Sequence, residues 1–277
     1  MCIQKIGKVK EITSLSNPII KDLRALSQKK NRNREGLFMA EGLKLVIDAL
    51  NLGWTIQTLI FSKRKIGDTT IENTAARILA NGGFVIKASQ KVMESLTRRD
   101  NPQTVIGIFK QQWHLLEMIK EQVEDVYLAL DRVRDPGNLG TIIRTADAVG
   151  AKGVILIGET TDPFSPETVR ATMGSIFSIP LYRCDESAFL NWSDQFKAMI
   201  VGTHLKGSTD YRSIDFKNGP IILLMGNEKQ GLPDILANHC DKLARIPQSG
   251  HADSLNLAIA TAIMLYEIRR PYLTLNP

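Results

Sequence analysis

Three polar loops of this 277-residue chain carry side chains that could do chemistry. The stretch IILLMGNEKQGLP, residues 221–233, runs apolar and then breaks into Gly226-Asn227-Glu228-Lys229, with Gly231 two residues further on. A buried strand ending this way presents a carboxylate, Glu228, in a tight loop whose glycines allow close backbone approach. The stretch LDRVRDPGNLGTIIRTADAVG, 130–150, places Asn138 where a helix N-cap is expected. Leu139, Ile142, Ile143, Ala146 and Val149 then form an apolar stripe, and Arg144 lies off it. In RIPQSGHADSLNLAIATAIMLYEIRR, 245–270, a glycine-containing loop feeds a helix expected to be capped by Asp253 or Ser254. Asn256 is oddly polar beside Leu255 and Ala258 in its first turn. Taken singly, a surface arginine and ordinary capping explain these residues. Together they bring hydroxyl, amide, carboxylate and guanidinium groups to loops of one kind.

That kind is set by the elements around them. From residue 125 the runs VYLAL, GVILIG, AMIVGTH, PIILLMG and KLARIP are continuously apolar, as strands buried on both faces must be. Helical stretches at 139–149, 166–177, 187–197 and 254–269 separate them. Strands alternating with helices predict a parallel α/β sheet, and ligands of such sheets bind beyond the carboxyl ends of the strands. The three loops lie at such ends. Upstream, LFMAEGLKLVIDALNLGWTIQTLIFS reads as strand, helix, strand, with Leu43, Val46, Ile47 and Leu50 at helical spacing and Gly53 as the stop. IENTAARILANGG reads as a further helix and FVIKAS and TVIGIF as short strands, a small α/β unit ending near residue 111. WHLLEMIKEQVED is expected to be a linker helix. The predicted organisation is a basic extension over 1–35, a small α/β domain over 36–112, a linker over 113–124 and a larger α/β domain over 125–277.

Composition narrows the function classes. Hydrophobic residues make up 43% and charged residues 23% of the chain, the mix of a soluble globular protein. No run of 18 apolar residues predicts a membrane span, and the N-terminus lacks a signal-peptide core. Three scattered cysteines, Cys2, Cys184 and Cys240, fit reduced thiols in the cytoplasm. The four histidines show no paired metal spacing, so no metal site is expected. The net charge is +6, and residues 1–35, with nine Lys/Arg and three acids, carry the whole excess. QKKNRNRE within that segment is suited to meeting phosphates. No G-x-G-x-x-G follows a strand and no G-x-x-x-x-G-K-[ST] is present, which disfavours a dinucleotide dehydrogenase and a P-loop nucleotidase.

The three loops, in order, resemble the signature motifs of the SpoU/TrmH family in the SPOUT superfamily of knotted RNA methyltransferases: DPGNLGTIIRTADAVGA, LLMGNEKQGL and IPQSGHADSLNLAIATAIMLYE. The region from FMAEGLKLVIDAL to VIGIF resembles that family's substrate-binding domain, an α/β sandwich like certain ribosomal proteins. The resemblance implies an RNA ribose 2'-O-methyltransferase that uses S-adenosylmethionine, works as a homodimer without metal or membrane, and has a deep C-terminal trefoil knot. It implies a cofactor held by three loops, which map to Thr203–Lys206, Leu224–Gly231 and Ile246–Leu255, with main-chain contacts from Gly226, Ile246 and Leu255. Arg144, reaching in from the second subunit, takes the position of the catalytic arginine, with Glu228 fixing it and Asn138, Ser254 and Asn256 orienting the ribose or an adjacent phosphate. Ribosomal RNA is favoured over transfer RNA as the substrate. A non-catalytic knotted RNA-binding protein and a transfer-RNA or base methyltransferase of the same superfamily stay open as alternatives. Two positions depart from the family pattern: Lys229 stands where glycine is common, and Gln248 where methionine is.

Overall fold

The computed structural model describes residues 7–97, 102–120, 122–205, 207 and 209–275. The chain divides into two compact units, one of Met1–Gln111 with Phe164–Phe177, the other of Gln112–Pro163 with Ser178–Pro277.

The first unit contains β1 (Lys8–Ile12), α1 (Pro18–Ala25), α2 (Lys29–Glu35), β2 (Leu37–Glu41), α3 (Leu43–Asn51), β3 (Ile56–Ser62), α4 (Thr69–Ala80), β4 (Phe84–Ala88), α5 (Gln90–Thr97) and β5 (Val105–Lys110). Its sheet order is β1-β4-β3-β5-β2, with β1, β4 and β3 parallel and β5 antiparallel to both of its neighbours. The strand–helix–strand and helix-then-glycine readings hold: Val46, Ala49 and Leu50 are the buried face of α3, and Gly53 follows it at φ 82. Residues 8–35 are not an extension. β1 pairs with β4 along its whole length, and Ile12, Ile20, Leu23 and Leu26 lie in the hydrophobic core. Lys5, in the same basic run, lies outside the described residues.

A later segment completes this unit. α7 (Pro166–Ala171) is capped by Ser165, and Phe164 and Phe177 enter an aromatic cluster with Phe38, Phe109 and Trp54. The Trp54 indole N–H donates to the Phe177 carbonyl at 2.9 Å. One helix over 166–177 was expected. Instead Met173 at φ 51 and Gly174 at φ 109 break it, because left-handed backbone cannot continue a right-handed helix, and a single 3-10 turn, Ser175–Phe177, follows.

The second unit holds β6 (Val126–Asp131), α6 (Pro136–Ala148), β7 (Gly153–Ile157), β8 (Leu181–Cys184), α8 (Glu186–Ser193), β9 (Met199–Thr203), β10 (Thr209–Asp210), β11 (Ile221–Met225), α9 (Asp234–Asn238), β12 (Lys242–Arg245) and α10 (Leu257–Arg269). All neighbours in the order β10-β12-β9-β11-β6-β7-β8 are parallel. The five apolar runs are five of these strands, and β6, β7 and β11 are buried at every residue, which is why they do not alternate. The short β8 and β10 were not foreseen. Among the described residues of 113–125 the expected linker helix does not form: 113–120 has no regular element apart from one bridge and one 3-10 turn, Leu116–Met118. His114 bridges to Tyr182, its N–H donating to the Leu181 carbonyl at 2.9 Å, so this segment extends the sheet beside β8. Among the described residues, no helix is long and apolar enough to cross a membrane.

Candidate active site

The carboxyl ends of β9, β11 and β12 and the first turns of α6 and α10 surround a cleft of about 860 Å3 within the second unit. Its floor is the loop after β11. Asn227 and Gly231 exchange both main-chain hydrogen bonds, at 3.1 and 2.8 Å, closing a tight turn. The Asn227 side chain fastens this turn on two sides: Oδ1 accepts from Lys229 N–H at 3.0 Å, and Nδ2 donates to the Arg132 carbonyl at 2.8 Å.

The two glycines are needed for different reasons. At Gly226 a Cβ would fall 2.2 Å from the Gly231 carbonyl carbon and 2.3 Å from Leu232 N, so a side chain is excluded by the loop's own return. At Gly231 there is open space, but φ is +67, where a side chain strains the backbone. The sequence reading gave both glycines to ligand approach; the turn itself demands them.

Glu228 leaves this turn and meets the loop after β6. Its Oε2 accepts from Arg134 N–H at 3.4 Å, and Oε1 accepts from Asp135 N–H at 3.5 Å and from Asn138 Nδ2 at 3.4 Å. That loop is itself held taut. Arg132 takes φ 48, and its guanidinium grips the buried Asp131 carboxylate in a bidentate pair at 3.0 and 2.8 Å. Left-handed backbone costs a non-glycine residue roughly 1–2 kcal/mol, which the charge-assisted pair and the Asn227 bond offset.

Asn138 is not the cap of α6. Asp135 is, accepting from Asn138 N–H at 2.6 Å, and Pro136 fills the first turn, where no N–H is required. The Asn138 side chain is thereby freed to face the cleft. At α10 the cap is Asn256 rather than Asp253 or Ser254: its Oδ1 accepts from Ala258 and Ile259 N–H at 2.9 and 3.3 Å. Its Nδ2 donates to Asn138 Oδ1 at 3.0 Å, so Asn256 serves both helix and cleft. A continuous network, Glu228–Asn138–Asn256, thus joins the three loops read from the sequence.

Of the remaining expected site residues, Thr203, Gly226, Gly231, Ile246, Ser254 and Leu255 line the cleft. Thr203 Oγ1 donates to the Met225 sulfur at 3.3 Å. Leu224 does not line it; it is fully buried in the core, paired through β11 to Gly202 and Ala129. Lys206 lies outside the described residues. Arg144 is exposed and lines no part of the cleft in its own chain. Six residues beyond Asn138, it stands about 9 Å further along α6. Arg132, Arg134 and Asp135 belong to the site and were missed, since contacts made through the main chain leave little mark on residue type.

Residues 125–266 match the SpoU rRNA Methylase family and residues 17–107 the MRM3-like substrate binding domain. The chain belongs to the SpoU family. It is 31% identical over 264 residues to the 23S rRNA (guanosine(2553)-2'-O)-methyltransferase RlmP of Bacillus subtilis, covering 94% of this chain and 100% of that protein. It is 32% identical over 253 residues to the 23S rRNA (uridine(2479)-2'-O)-methyltransferase of Streptomyces viridochromogenes, covering 88% and 86% respectively. The crystal structure of an AdoMet-bound rRNA methyltransferase from Sinorhizobium meliloti superposes with a TM-score of 0.92 at 59% identity, over 96% of this chain and 99% of that one.

Proposed function

We infer that this SpoU family member is an S-adenosylmethionine-dependent ribose 2'-O-methyltransferase of ribosomal RNA. The observation that carries the reading is the Glu228–Asn138–Asn256 network, which converts three separate loops into one polar wall of a cofactor-sized cleft. Relatives of nearly full length methylate 23S ribosomal RNA at ribose 2'-O, and the Sinorhizobium meliloti enzyme holds AdoMet.

The residues present fit that cofactor. The cleft volume lies within the range of small-molecule sites, its walls mix Met225, Ile246, Leu255 and Leu257 with main chain, and Gly226 and Gly231 bare the backbone of the β11 loop. Thr203, Gly226, Ile246 and Leu255 would hold it. Bound there, S-adenosylmethionine supplies a methyl group carried on a sulfonium. The chain's own work is to place the ribose hydroxyl in line and to stabilise charge as its proton leaves. Asn138, Asn256 and Ser254 orient the ribose. Arg144 is too basic to take the proton, so its role is to steady the developing 2'-oxyanion while the proton passes to water or a phosphate oxygen. Because Arg144 lies outside its own cleft, we place it in the cleft of a partner subunit, where Glu228 still has free lone pairs to fix it. This makes the active form a homodimer. The first unit supplies RNA recognition, and the C-terminal segment threads the trefoil knot of its superfamily. With ribosomal RNA as substrate, the enzyme is expected to work in the cytoplasm.

The test is methyl transfer from labelled S-adenosylmethionine to unmodified ribosomal RNA. The label is expected in nuclease-resistant dinucleotides, the signature of a blocked 2'-hydroxyl. Label in a free base, or none with cofactor bound, would overturn the reading.

A further inference from the structure

α6 and α10, each of 13 residues, pack against one another and are tied at both ends. At their first turns Asn256 Nδ2 donates to Asn138 Oδ1. At their far ends Arg269 Nε donates to the Val149 carbonyl at 3.1 Å, while Arg269 Nη1 donates to the Glu124 carbonyl at 2.7 Å. Arg269 lines no part of the cofactor cleft. We propose that Arg269 is a positioning residue for methyl transfer: from the far end it locks the axial register of α10 against α6, and so keeps Asn256 in place on Asn138. The proposal rests on the methyltransferase reading above.

The far joint is built for a guanidinium. Val149 is the C-cap of α6, so its carbonyl is among the last that the helix itself cannot pair. The last turn of α6 has no Lys or Arg of its own and holds Asp147, the wrong charge for that end of a helix dipole. The missing cation arrives from α10. It is held in turn: the Arg269 guanidinium lies over the Tyr272 ring at 4.7 Å, and Tyr272 and Leu273 N–H both donate to the Arg269 carbonyl, at 2.9 and 3.1 Å. Glu124 lies just ahead of β6, a strand buried at every residue, so the fork ties α10 to the sheet as well as to α6. A planar fork that meets two carbonyls at once fixes direction as well as distance.

The two joints act on one coordinate. About 17 Å of α6 separates Asn138 from Val149. Over that span the buried face of α10 is apolar apart from Thr261, whose hydroxyl donates to the Leu257 carbonyl of its own helix. Apolar contact has no direction, so the polar ties define the axial position. A slide of about 1 Å would part Asn256 from Asn138, because a hydrogen bond fails steeply with distance. Misplacement of that size, made far from the chemistry, costs on the order of a hundredfold in rate.

The test compares the full-length parent with Arg269→Met and Arg269→Lys, well below their unfolding temperatures, in single-turnover methyl transfer with S-adenosylmethionine and ribosomal RNA both saturating. Arg269→Met should lose about tenfold or more in rate, with S-adenosylmethionine and RNA affinities unchanged. Arg269→Lys keeps the charge at the end of α6 and loses the fork, so it should recover most of the thermal stability and little of the rate. A second arm asks whether the loss runs through Asn256. In the Asn256→Asp background, where the donor to Asn138 is already gone, Arg269→Met should cost no more than about twofold further. Should Arg269→Met not fold, Arg269→Lys carries both arms. A parent-like rate in folded Arg269→Lys, a loss confined to S-adenosylmethionine affinity, or losses that multiply in the double variant would overturn the proposal. A parent that neither binds S-adenosylmethionine nor methylates RNA would instead overturn the functional reading on which it stands.

Discussion

Asn256 and Asn138, 118 residues apart in sequence, are joined by a 3.0 Å side-chain hydrogen bond between the first turns of two helices. Asn256 is the donor through Nδ2, while its Oδ1 caps α10. The two atoms of one amide therefore carry different duties, which substitution can separate. Asn256→Asp keeps an oxygen for the cap and removes the donor to Asn138. Its thermal stability should stay near the parent's, while methyl transfer falls by an order of magnitude or more. Asn256→Ala loses both and should also lose about 1 kcal/mol of stability. Calorimetric unfolding alongside a methylation assay checks the pair. If Asn256→Asp retains full turnover, the amide is a cap and nothing else.

The β11 loop makes a prediction about two glycines. Gly226→Ala forces a methyl into the backbone of Gly231 and Leu232, so the loop must open and the cleft floor move. S-adenosylmethionine affinity should drop by about tenfold or more, near 1.4 kcal/mol. Gly231→Ala meets only open space and pays the left-handed penalty, roughly 1–2 kcal/mol of stability, with a smaller effect on binding. The reverse order of effects on cofactor affinity would show that contact with the loop's own backbone is not what requires glycine at position 226.

The basic N-terminus calls for charge substitution rather than truncation. Removing residues 1–35 would strip β1 from the sheet edge and Ile12, Ile20, Leu23 and Leu26 from the core, so loss of RNA binding there would report unfolding. Arg32 is likewise structural: it is buried and donates to the Leu26 carbonyl at 2.8 Å. Lys21, Lys29 and Lys30 are exposed. The triple change Lys21→Gln, Lys29→Gln, Lys30→Gln should leave the unfolding temperature unchanged and flatten the salt dependence of RNA binding by about 2. An unaltered slope would show that these lysines are only a solvated face.

The pattern of what the sequence revealed follows from how each feature is encoded. Strands buried on both faces write themselves as apolar runs, so β6, β7 and β11 and the buried centre of β9 were legible; β12, buried only at Ala244, was found from the short run before Pro247, and the loops that end β6, β11 and β12 were legible with them. Glu228, Asn138 and Asn256 were found because a polar residue at a glycine-rich strand end or in an apolar first turn is conspicuous. Their partners were not found. Glu228 is held chiefly by main-chain N–H groups of Arg134 and Asp135, which any residue type could supply. The Asp135 cap was misplaced to Asn138 because both residues are good cap formers three positions apart, and only the placement of Pro136 in the first turn decides between them. The return of Phe164–Phe177 to the first unit is a long-range packing event, carried by aromatic contacts with no periodic signature. Leu224, adjacent to the correct loop, was taken for a ligand contact, though one more residue of strand buries it.

Arg144 yields the sharpest prediction. It is exposed on α6 and does not line the cofactor cleft of its own chain. If it serves the partner's cleft, Arg144→Ala should abolish turnover while leaving fold and S-adenosylmethionine affinity intact. Arg144→Lys should rescue poorly, lacking the planar fork that can grip Glu228 and the ribose oxygen together. Mixing is decisive. An Arg144→Ala chain retains a sound cleft, and a Gly226→Ala chain retains a sound arginine. In each mixed dimer one site combines the intact cleft of the first with the arginine of the second. At an S-adenosylmethionine concentration too low to fill the Gly226→Ala cleft, random exchange makes half of the dimers mixed, each with one working site of two, so activity should recover to about a quarter of the parent's. Mass spectrometry of differently tagged chains verifies the exchange. A mixture that has exchanged fully and stays inactive shows that Arg144 does not act across a subunit boundary.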